Sequence, residues 1–168
     1  MKLQELLIKH GIKYLWHFTD MSNLDSIQKN SLLSLEKIES KKIDVTCFGA
    51  DELSHSLDRA SGLDKYVHLA FLPDHPMYHV KKRERVITQP IWLKIDISVL
   101  CQENVYYSNE VANSSNAKLF KANQIENMID FEKIMHPIDF KSKITARKAE
   151  ILIPNQIELK DIKGFYHG

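Results

Sequence analysis

The sequence predicts an α+β fold built on a mixed, mostly antiparallel β-sheet with short peripheral helices. Two segments, KYVHLAF and PIWLKIDI, alternate with the period of two that is typical of strands. Segments with helical spacing separate the predicted strands. With 168 residues, of which 43% are hydrophobic and 27% charged, the chain has the length and composition of one globular domain, which we place over residues 1–168.

The N-terminal segment predicts a helix, a strand and a second helix. The leucines of LQELLIK have helical spacing, and a glycine just beyond them ends the helix. From Lys13 the period changes to two, which predicts a strand with His17 and Thr19 on the same face. Asp20 or Ser22 then caps a second helix that ends at the Asn-Ser pair before LLSL.

The middle of the chain is less regular. Between Glu36 and Lys65 the polarity is high and the periodicity poor, which predicts an ordered functional loop with one or two short helices. The KYVHLAF strand follows, with Tyr66 and His68 on one face. After it, HPMYHVKKRER predicts a short helix that begins at Pro76 and ends in a basic cluster.

Towards the C-terminus, NVYYS predicts a strand and SNEVANSSNA a polar turn. The stretch from AKLF to MIDF predicts short amphipathic helices. The final segment, ARKAEILIPNQIELKDIKGFYH, predicts one buried strand, a Pro-Asn turn and a last strand near Ile162 to Tyr166.

Charge and cysteine content limit the classes of function. The net charge of +1 provides no global attraction for polyanions, so a nucleic-acid site would have to be a local patch. Cys47 and Cys101 fit no zinc or CxxC spacing, which suits a reducing compartment. No stretch approaches the ~18 apolar residues of a membrane span. We therefore expect a cytoplasmic protein without a membrane partner.

Two residues are candidates for chemistry. Glu150 immediately precedes an apolar run, where an acid costs desolvation energy unless it faces a cleft. The alternative is a solvent-exposed residue on an edge strand. His17, between two aromatic residues, is either a binding residue or a structural histidine whose ring is hydrogen-bonded within the fold.

Other catalytic motifs are weak or missing. His75 and His79 have the i, i+4 spacing of zinc ligands and His68 is nearby, but no acid or cysteine completes a shell at a standard interval, so we expect no metal. The chain contains no GxSxG, GxGxxG or Walker motif, which argues against α/β-hydrolases, Rossmann enzymes and P-loop enzymes.

Four blocks of sequence, LWHFTDMSNLDSIQKNSLLS, LDKYVHLAFLPDHPMYHV, YYSNEVANSSNA and KAEILIP, occur in an order that resembles a known family. They resemble DarT, the bacterial DNA ADP-ribosyltransferase toxins, which are related in fold to poly(ADP-ribose) polymerases and tRNA 2′-phosphotransferases. The blocks span nearly the whole chain, and the first and last are the most specific.

The resemblance implies a split ADP-ribosyltransferase core that binds NAD, without a metal, in the cleft between two sheets. Glu150 matches the catalytic glutamate, and Arg59 is the candidate for the arginine that the family carries in its variable loop. Alternatively, Arg59 is a surface charge. The implied NAD-binding residues are His17, Thr19, Asn23 and Tyr66. Tyr66 as plain packing is the other interpretation, and Phe71 faces the wrong side to replace it.

The resemblance also implies a substrate and a partner. Lys148 stands where arginine-modifying relatives carry a glutamate, so single-stranded DNA is favoured over protein as the acceptor. A macrodomain antitoxin is the implied partner. Candidate nucleic-acid contacts are Lys81, Lys82, Arg83, Arg85, Asn113 and Asn116, although a basic cluster of this size also suits a solvated turn.

Two other functions remain open on the same fold. One is modification of RNA or removal of a tRNA 2′-phosphate, although the latter normally needs several arginines around a histidine. The other is a non-catalytic module that binds nucleic acid or an antitoxin.

Overall fold

The computed structural model describes residues 2–48 and 52–168. The helices are α1 (Leu3–Lys9), α2 (Leu24–Asn30), α3 (Leu35–Ser40), α4 (Glu52–Ser61), α5 (Pro76–Arg83), α6 (Ile125–Met128), α7 (Phe131–Met135) and α8 (Phe140–Ala146). The strands are β1 (Tyr14–Asp20), β2 (Leu32–Leu33), β3 (Tyr66–Ala70), β4 (Pro90–Asp96), β5 (Tyr106–Ser108), β6 (Leu119–Phe120), β7 (Glu150–Pro154), β8 (Gln156–Ile157) and β9 (Ile162–Tyr166). None of the described helices has the length and apolar character that a bilayer crossing requires.

Seven strands form one sheet in the order β6-β5-β7-β3-β1-β4-β9, and β2 pairs separately with β8. The strand pairs that the structure describes are all antiparallel. The α+β class and the mostly antiparallel sheet are therefore confirmed.

The main core lies on one face of this sheet. Leu15, Leu69, Leu93 and Ile151, from four adjacent strands, are buried there because alternate residues of a strand point to the same side. They pack against apolar residues of α1, α6 and α7. Each buried leucine or isoleucine side chain stabilises the fold by about 1.5–3 kcal/mol relative to an exposed one.

Most predicted elements form where the sequence places them, and three regions differ. The short strands β2 and β8, which pair with each other, are not among the predicted elements. The segment from AKLF to MIDF begins with the short strand β6 instead of a helix, because Leu119 and Phe120 pair with β5. The sequence also gave no indication of α8, whose first residue, Phe140, is 73% exposed. A helix with an exposed apolar residue lacks the periodicity on which such a prediction depends.

The sheet is divided between β1 and β3. Whereas β1 pairs with β4 over seven residue pairs, it pairs with β3 only at Trp16 and Ala70. The backbone ladder between the two strands is therefore nearly absent, and little backbone pairing joins the two halves of the sheet at this position. The division agrees with the split core that the resemblance implies.

Asp20 anchors the end of β1 beside this division. Its carboxylate accepts hydrogen bonds from the backbone N–H groups of Ser22, Thr88 and Gln89 and from the hydroxyls of Ser22 and Thr88. Although burial opposes ionisation, these hydrogen bonds lower the pKa of Asp20 to about 2. The carboxylate thus joins β1 to the loop before β4.

We expect Asp20→Asn to lower the free energy of unfolding by about 2 kcal/mol, since hydrogen bonds to a charged acceptor are lost. The folded-state pKa is depressed, so the stabilisation is present above the ordinary pKa of 3.8 and is lost as the pH falls towards about 2. Urea unfolding at several pH values measures both effects. If the free energy of unfolding of the variant differed from that of the wild type by the same amount at pH 7 and at pH 2.5, this role of Asp20 would be contradicted.

Candidate active site

A cleft of about 240 Å³ lies where β1 and β3 diverge. His17, Thr19 and Asn23 line it from β1 and the turn that follows, and Tyr66 and Glu150 line it from β3 and β7. The structure therefore brings the expected catalytic glutamate and the four expected NAD-binding residues to one cavity.

Glu150 is buried at the start of β7, and three groups surround its carboxylate. Oε2 lies 3.2 Å from Nδ1 of His68 and accepts a hydrogen bond from the backbone N–H of Ala112 at 3.0 Å. Oε1 lies 3.4 Å from Nε2 of His75. Burial opposes ionisation, but His68, His75 and the Ala112 N–H together lower the pKa of Glu150. The carboxylate is ionised at neutral pH.

His68 supplies the positive charge that balances Glu150. Its Nδ1 faces Glu150, and its Nε2 lies 3.3 Å from the carbonyl oxygen of Leu63. Both ring nitrogens thus face acceptors, which is the arrangement of a protonated imidazole. Burial disfavours this charge, yet the hydrogen bond and the charge of Glu150, with a smaller effect of Asp58, raise the pKa of His68 to about 9. The cleft therefore contains a partly buried ion pair.

His75 is the neutral partner in this group. Its Nδ1 accepts a hydrogen bond from the backbone N–H of Met77 and caps α5, so the proton of the neutral ring resides on Nε2, which faces Glu150. Burial lowers the pKa of His75 despite the nearby carboxylate. The ring contributes an N–H dipole, not a second full charge.

His17 bridges the division of the sheet. Its Nδ1 lies 2.9 Å from the backbone carbonyl oxygen of His68 on β3. Because β1 and β3 share so little backbone pairing, this β1 side chain provides the hydrogen-bond donor for the β3 carbonyl. Burial lowers the pKa of His17 to about 4. The ring is therefore neutral, with its proton on Nδ1 and an accepting Nε2. The structural and binding interpretations of His17 are compatible.

Thr19 and Asn23 connect β1 to the segment before α4. The Asn23 amide nitrogen donates to Thr19 Oγ1 at 3.0 Å and to the Cys47 carbonyl, and its oxygen accepts from the Cys47 N–H at 3.1 Å. Asn23 thus holds residue 47 against the cleft wall, while the Thr19 hydroxyl proton is left to donate elsewhere.

Two other predicted residues differ in position. Tyr66 lines the cleft, and its ring packs edge to face against the Tyr106 ring, with the two ring centroids 6.1 Å apart. Arg59 lies outside the described lining of the cleft, where its guanidinium pairs with Glu39 of α3. Phe71 is buried in the main core, on the face that the alternation predicts.

The expected nucleic-acid contacts divide into two groups. Lys81 is buried and, like Asn113, lines the cleft. The side chain of Asn113 donates to Asp58 at 3.2 Å. The remaining residues are exposed outside the described lining: Lys82, Arg83, Arg85 and Asn116.

Sequence reasoning missed the roles of His68, His75 and Asp58 in this cleft. The alternation in KYVHLAF does place His68 on the same face as Tyr66, which was the available signal. The two histidines with zinc-like spacing separate, because His75 faces Glu150 whereas His79 pairs with Asp74 at 2.6 Å. Across the described ranges, His, Cys, Asp and Glu side chains form no metal-binding group of three or more.

A family model described as "ssDNA thymidine ADP-ribosyltransferase, DarT" matches residues 16–167 of the chain. Among proteins of curated function, none matches the sequence significantly.

Solved structures share the fold. DarTG from Thermosipho africanus, in complex with ADP-ribose, matches with a TM-score of 0.76 and 18% identity over 93% of this chain and 44% of that chain. DarT from Thermus sp. 2.9, in complex with ADP-ribosylated ssDNA, matches with a TM-score of 0.72 and 15% identity over 92% of this chain and 81% of that chain. The same Thermus protein in complex with NAD+ matches with a TM-score of 0.64 and 16% identity over 92% of this chain and 81% of that chain. The expected ADP-ribosyltransferase fold is confirmed, and this chain spans less than half the length of DarTG.

We expect NMR titration of the histidine side chains to give His68 a pKa of about 9. In Glu150→Gln the negative charge is lost and burial remains, so the pKa of His68 should fall from about 9. Because the folded-state pKa is raised, the pair stabilises the fold fully below pH 6.5, and this stabilisation is lost as the pH rises through about 9. An unchanged His68 titration in the variant would exclude the ion pair.

Proposed function

Because the chain belongs to the DarT family of ssDNA thymidine ADP-ribosyltransferases, we propose that it transfers ADP-ribose from NAD to a thymidine base of single-stranded DNA. The observation that carries this proposal is the ionised Glu150, which is held in the cleft by His68 and the Ala112 N–H. The remaining steps follow from the chemistry of NAD and from the groups around this carboxylate.

Cleavage of the nicotinamide–ribose bond builds positive charge on the sugar. A fixed carboxylate stabilises that oxocarbenium-like state more than it stabilises the neutral sugar of the ground state. Oε2 of Glu150 is held by His68 and the Ala112 N–H, whereas Oε1 has only the His75 ring nitrogen, at 3.4 Å, so Oε1 is the oxygen that can accept a further hydrogen bond from a ribose hydroxyl. The His68 cation keeps the carboxylate ionised before NAD binds.

His17 and Thr19 provide complementary groups on the opposite wall. The unprotonated Nε2 of His17 can accept a hydrogen bond from a ribose hydroxyl, and the Thr19 hydroxyl can donate one. A half-buried neutral imidazole forms this bond without the desolvation cost that a charged side chain would carry. Tyr66 offers a ring surface for nicotinamide in the same cavity.

The arrangement supports tRNA 2′-phosphate removal less well. That reaction normally needs several arginines around a histidine, yet no arginine lines the cleft within the described residues. Arg59 pairs with Glu39, and Arg147 pairs with Asp74. The other two arginines are exposed beyond the cleft lining: Arg83 and Arg85.

The exposed residues at the end of α5 are the favoured contacts for the DNA backbone: Lys82, Arg83 and Arg85. Their charges lie outside the cavity, where a strand that inserts one base would continue. We also place Asn116 in this group and Lys81 within the cleft. By the same family relation, we propose a cytoplasmic toxin that a macrodomain antitoxin neutralises.

We expect a thymidine-containing DNA oligonucleotide, incubated with NAD and wild-type protein, to gain one ADP-ribose by intact-mass spectrometry. In Glu150→Gln the rate should fall by about a hundred- to a thousandfold, because the transition-state charge loses its partner. Glu126→Gln, at an exposed glutamate of α6, is the matched control and should keep the wild-type rate.

The same assay on an RNA oligonucleotide separates the alternatives. A gain on RNA alone would replace the proposal with RNA modification. No gain on either nucleic acid by folded wild-type protein would leave a protein substrate or a non-catalytic binding module.

A further inference from the structure

Transfer to thymidine requires a group that accepts a proton. Because N1 of thymine is bonded to deoxyribose, N3 carries the only ring N–H of the base. When N3 attacks C1″ of the NAD ribose, the C1″–nicotinamide bond breaks and its electron pair returns to the nicotinamide nitrogen. The N3–H proton is left over, so the reaction converts NAD+ and thymidine to ADP-ribosyl-thymidine, nicotinamide and one proton. A positioned base would remove this proton during the attack.

Three groups near the reacting carbon are poorly suited to this task. His68 is already protonated by its contact with Glu150. The Nδ1 lone pair of His75 is occupied by the Met77 N–H, and its Nε2 carries the proton. Glu150 balances the sugar charge in the proposed reaction, and protonation would remove that stabilisation.

Two aspartates, Asp58 and Asp64, line the cleft in addition to Glu150, and Asp58 is the one whose carboxylate is hydrogen-bonded to the loop after β5. It lies on α4, and both Asp58 and Asn113 line the cavity that contains Glu150. Its Oδ1 accepts a hydrogen bond from the Asn113 side chain at 3.2 Å. In the part of the chain that the structure describes, Oδ2 has no hydrogen-bond partner. One oxygen is therefore held by the loop after β5, and the other is available to a ligand.

We propose that Asp58 is the general base that accepts the N3 proton of the target thymidine, with Asn113 as the residue that positions it. The inference rests on the proposed function, and it assigns different tasks to Glu150 and Asp58. Glu150 stabilises the ribose cation, and Asp58 activates the nucleophile from the α4 side of the cavity.

The surroundings of the two acids agree with this division. Burial raises the pKa of Asp58; the His68 imidazolium, the Asn113 amide and His55 act in the opposite direction, and the Glu150 charge adds to the increase. The pKa of Asp58 is thus shifted upward, whereas the pKa of Glu150 is shifted downward. A contrast of this kind between two nearby carboxylates is typical of sites that need one permanent charge and one proton acceptor.

The first test compares Asp58→Asn with Asp44→Asn, which removes an exposed aspartate outside the cleft lining. We expect the single-turnover rate on a thymidine oligonucleotide at saturating NAD to fall by about a hundred- to ten-thousandfold in Asp58→Asn. Asp44→Asn should keep the wild-type rate. The affinity for carba-NAD should be unchanged in both variants, which separates catalysis from cofactor binding and folding.

The second test uses an oligonucleotide in which 5-fluorodeoxyuridine replaces the target thymidine. Fluorine makes N3–H more acidic, so the attack depends less on a protein base. The ratio of the wild-type rate to the Asp58→Asn rate should therefore be smaller than on thymidine by about tenfold or more. Loss of a merely structural contact would slow both substrates equally.

The outcomes distinguish this inference from the proposed function. An active wild type with equal Asp58→Asn and Asp44→Asn rates, or with an Asp58→Asn defect that fluorine does not reduce, overturns the role of Asp58 alone. Rescue by fluorine in His55→Gln but not in Asp58→Asn assigns the proton to His55, which also lines the cleft from α4. A folded wild type that modifies no DNA overturns both.

Discussion

The ionised carboxylate of Glu150, buried at the start of a central strand, is the constraint on which the rest of the cleft depends. An unpaired charge there would cost several kcal/mol, so the surroundings must compensate it. His68 supplies a cation from β3, Ala112 a backbone N–H from the loop after β5, and His75 a dipole from the start of α5. These contacts with the Glu150 carboxylate thereby hold β3, the loop after β5 and the start of α5 around the site.

The division of the sheet is the second determinant of the site. A continuous ladder between β1 and β3 would close the cavity, whereas pairing at a single position leaves their inner faces accessible. The exposed edge still requires partners for its backbone groups, and the His17 side chain provides one for the His68 carbonyl. The same ring thus stabilises the opening and presents an acceptor nitrogen to a ligand.

Charge is distributed by local pairing, which explains how a chain with a net charge of +1 can still suit a polyanionic substrate. Asp74 binds Lys143 and Arg147, and Glu39 binds Arg59, so several cations are compensated. The cations at the end of α5 are exposed beside the cleft. Attraction of DNA would then be confined to the mouth of the site, as expected for a local patch.

Local sequence patterns are enough to predict the strands β1, β3, β4 and β7, the start of α5 at Pro76, and Glu150 and His17 as chemical candidates. Alternation and the desolvation cost of a carboxylate beside an apolar run are local signals. The three-dimensional fold was needed to show that His68 balances Glu150, that Arg59 lies outside the cleft lining, and that Asp58 is part of it. These facts depend on which strands and helices become neighbours, and contacts between residues 82 positions apart leave no periodic trace in a single sequence.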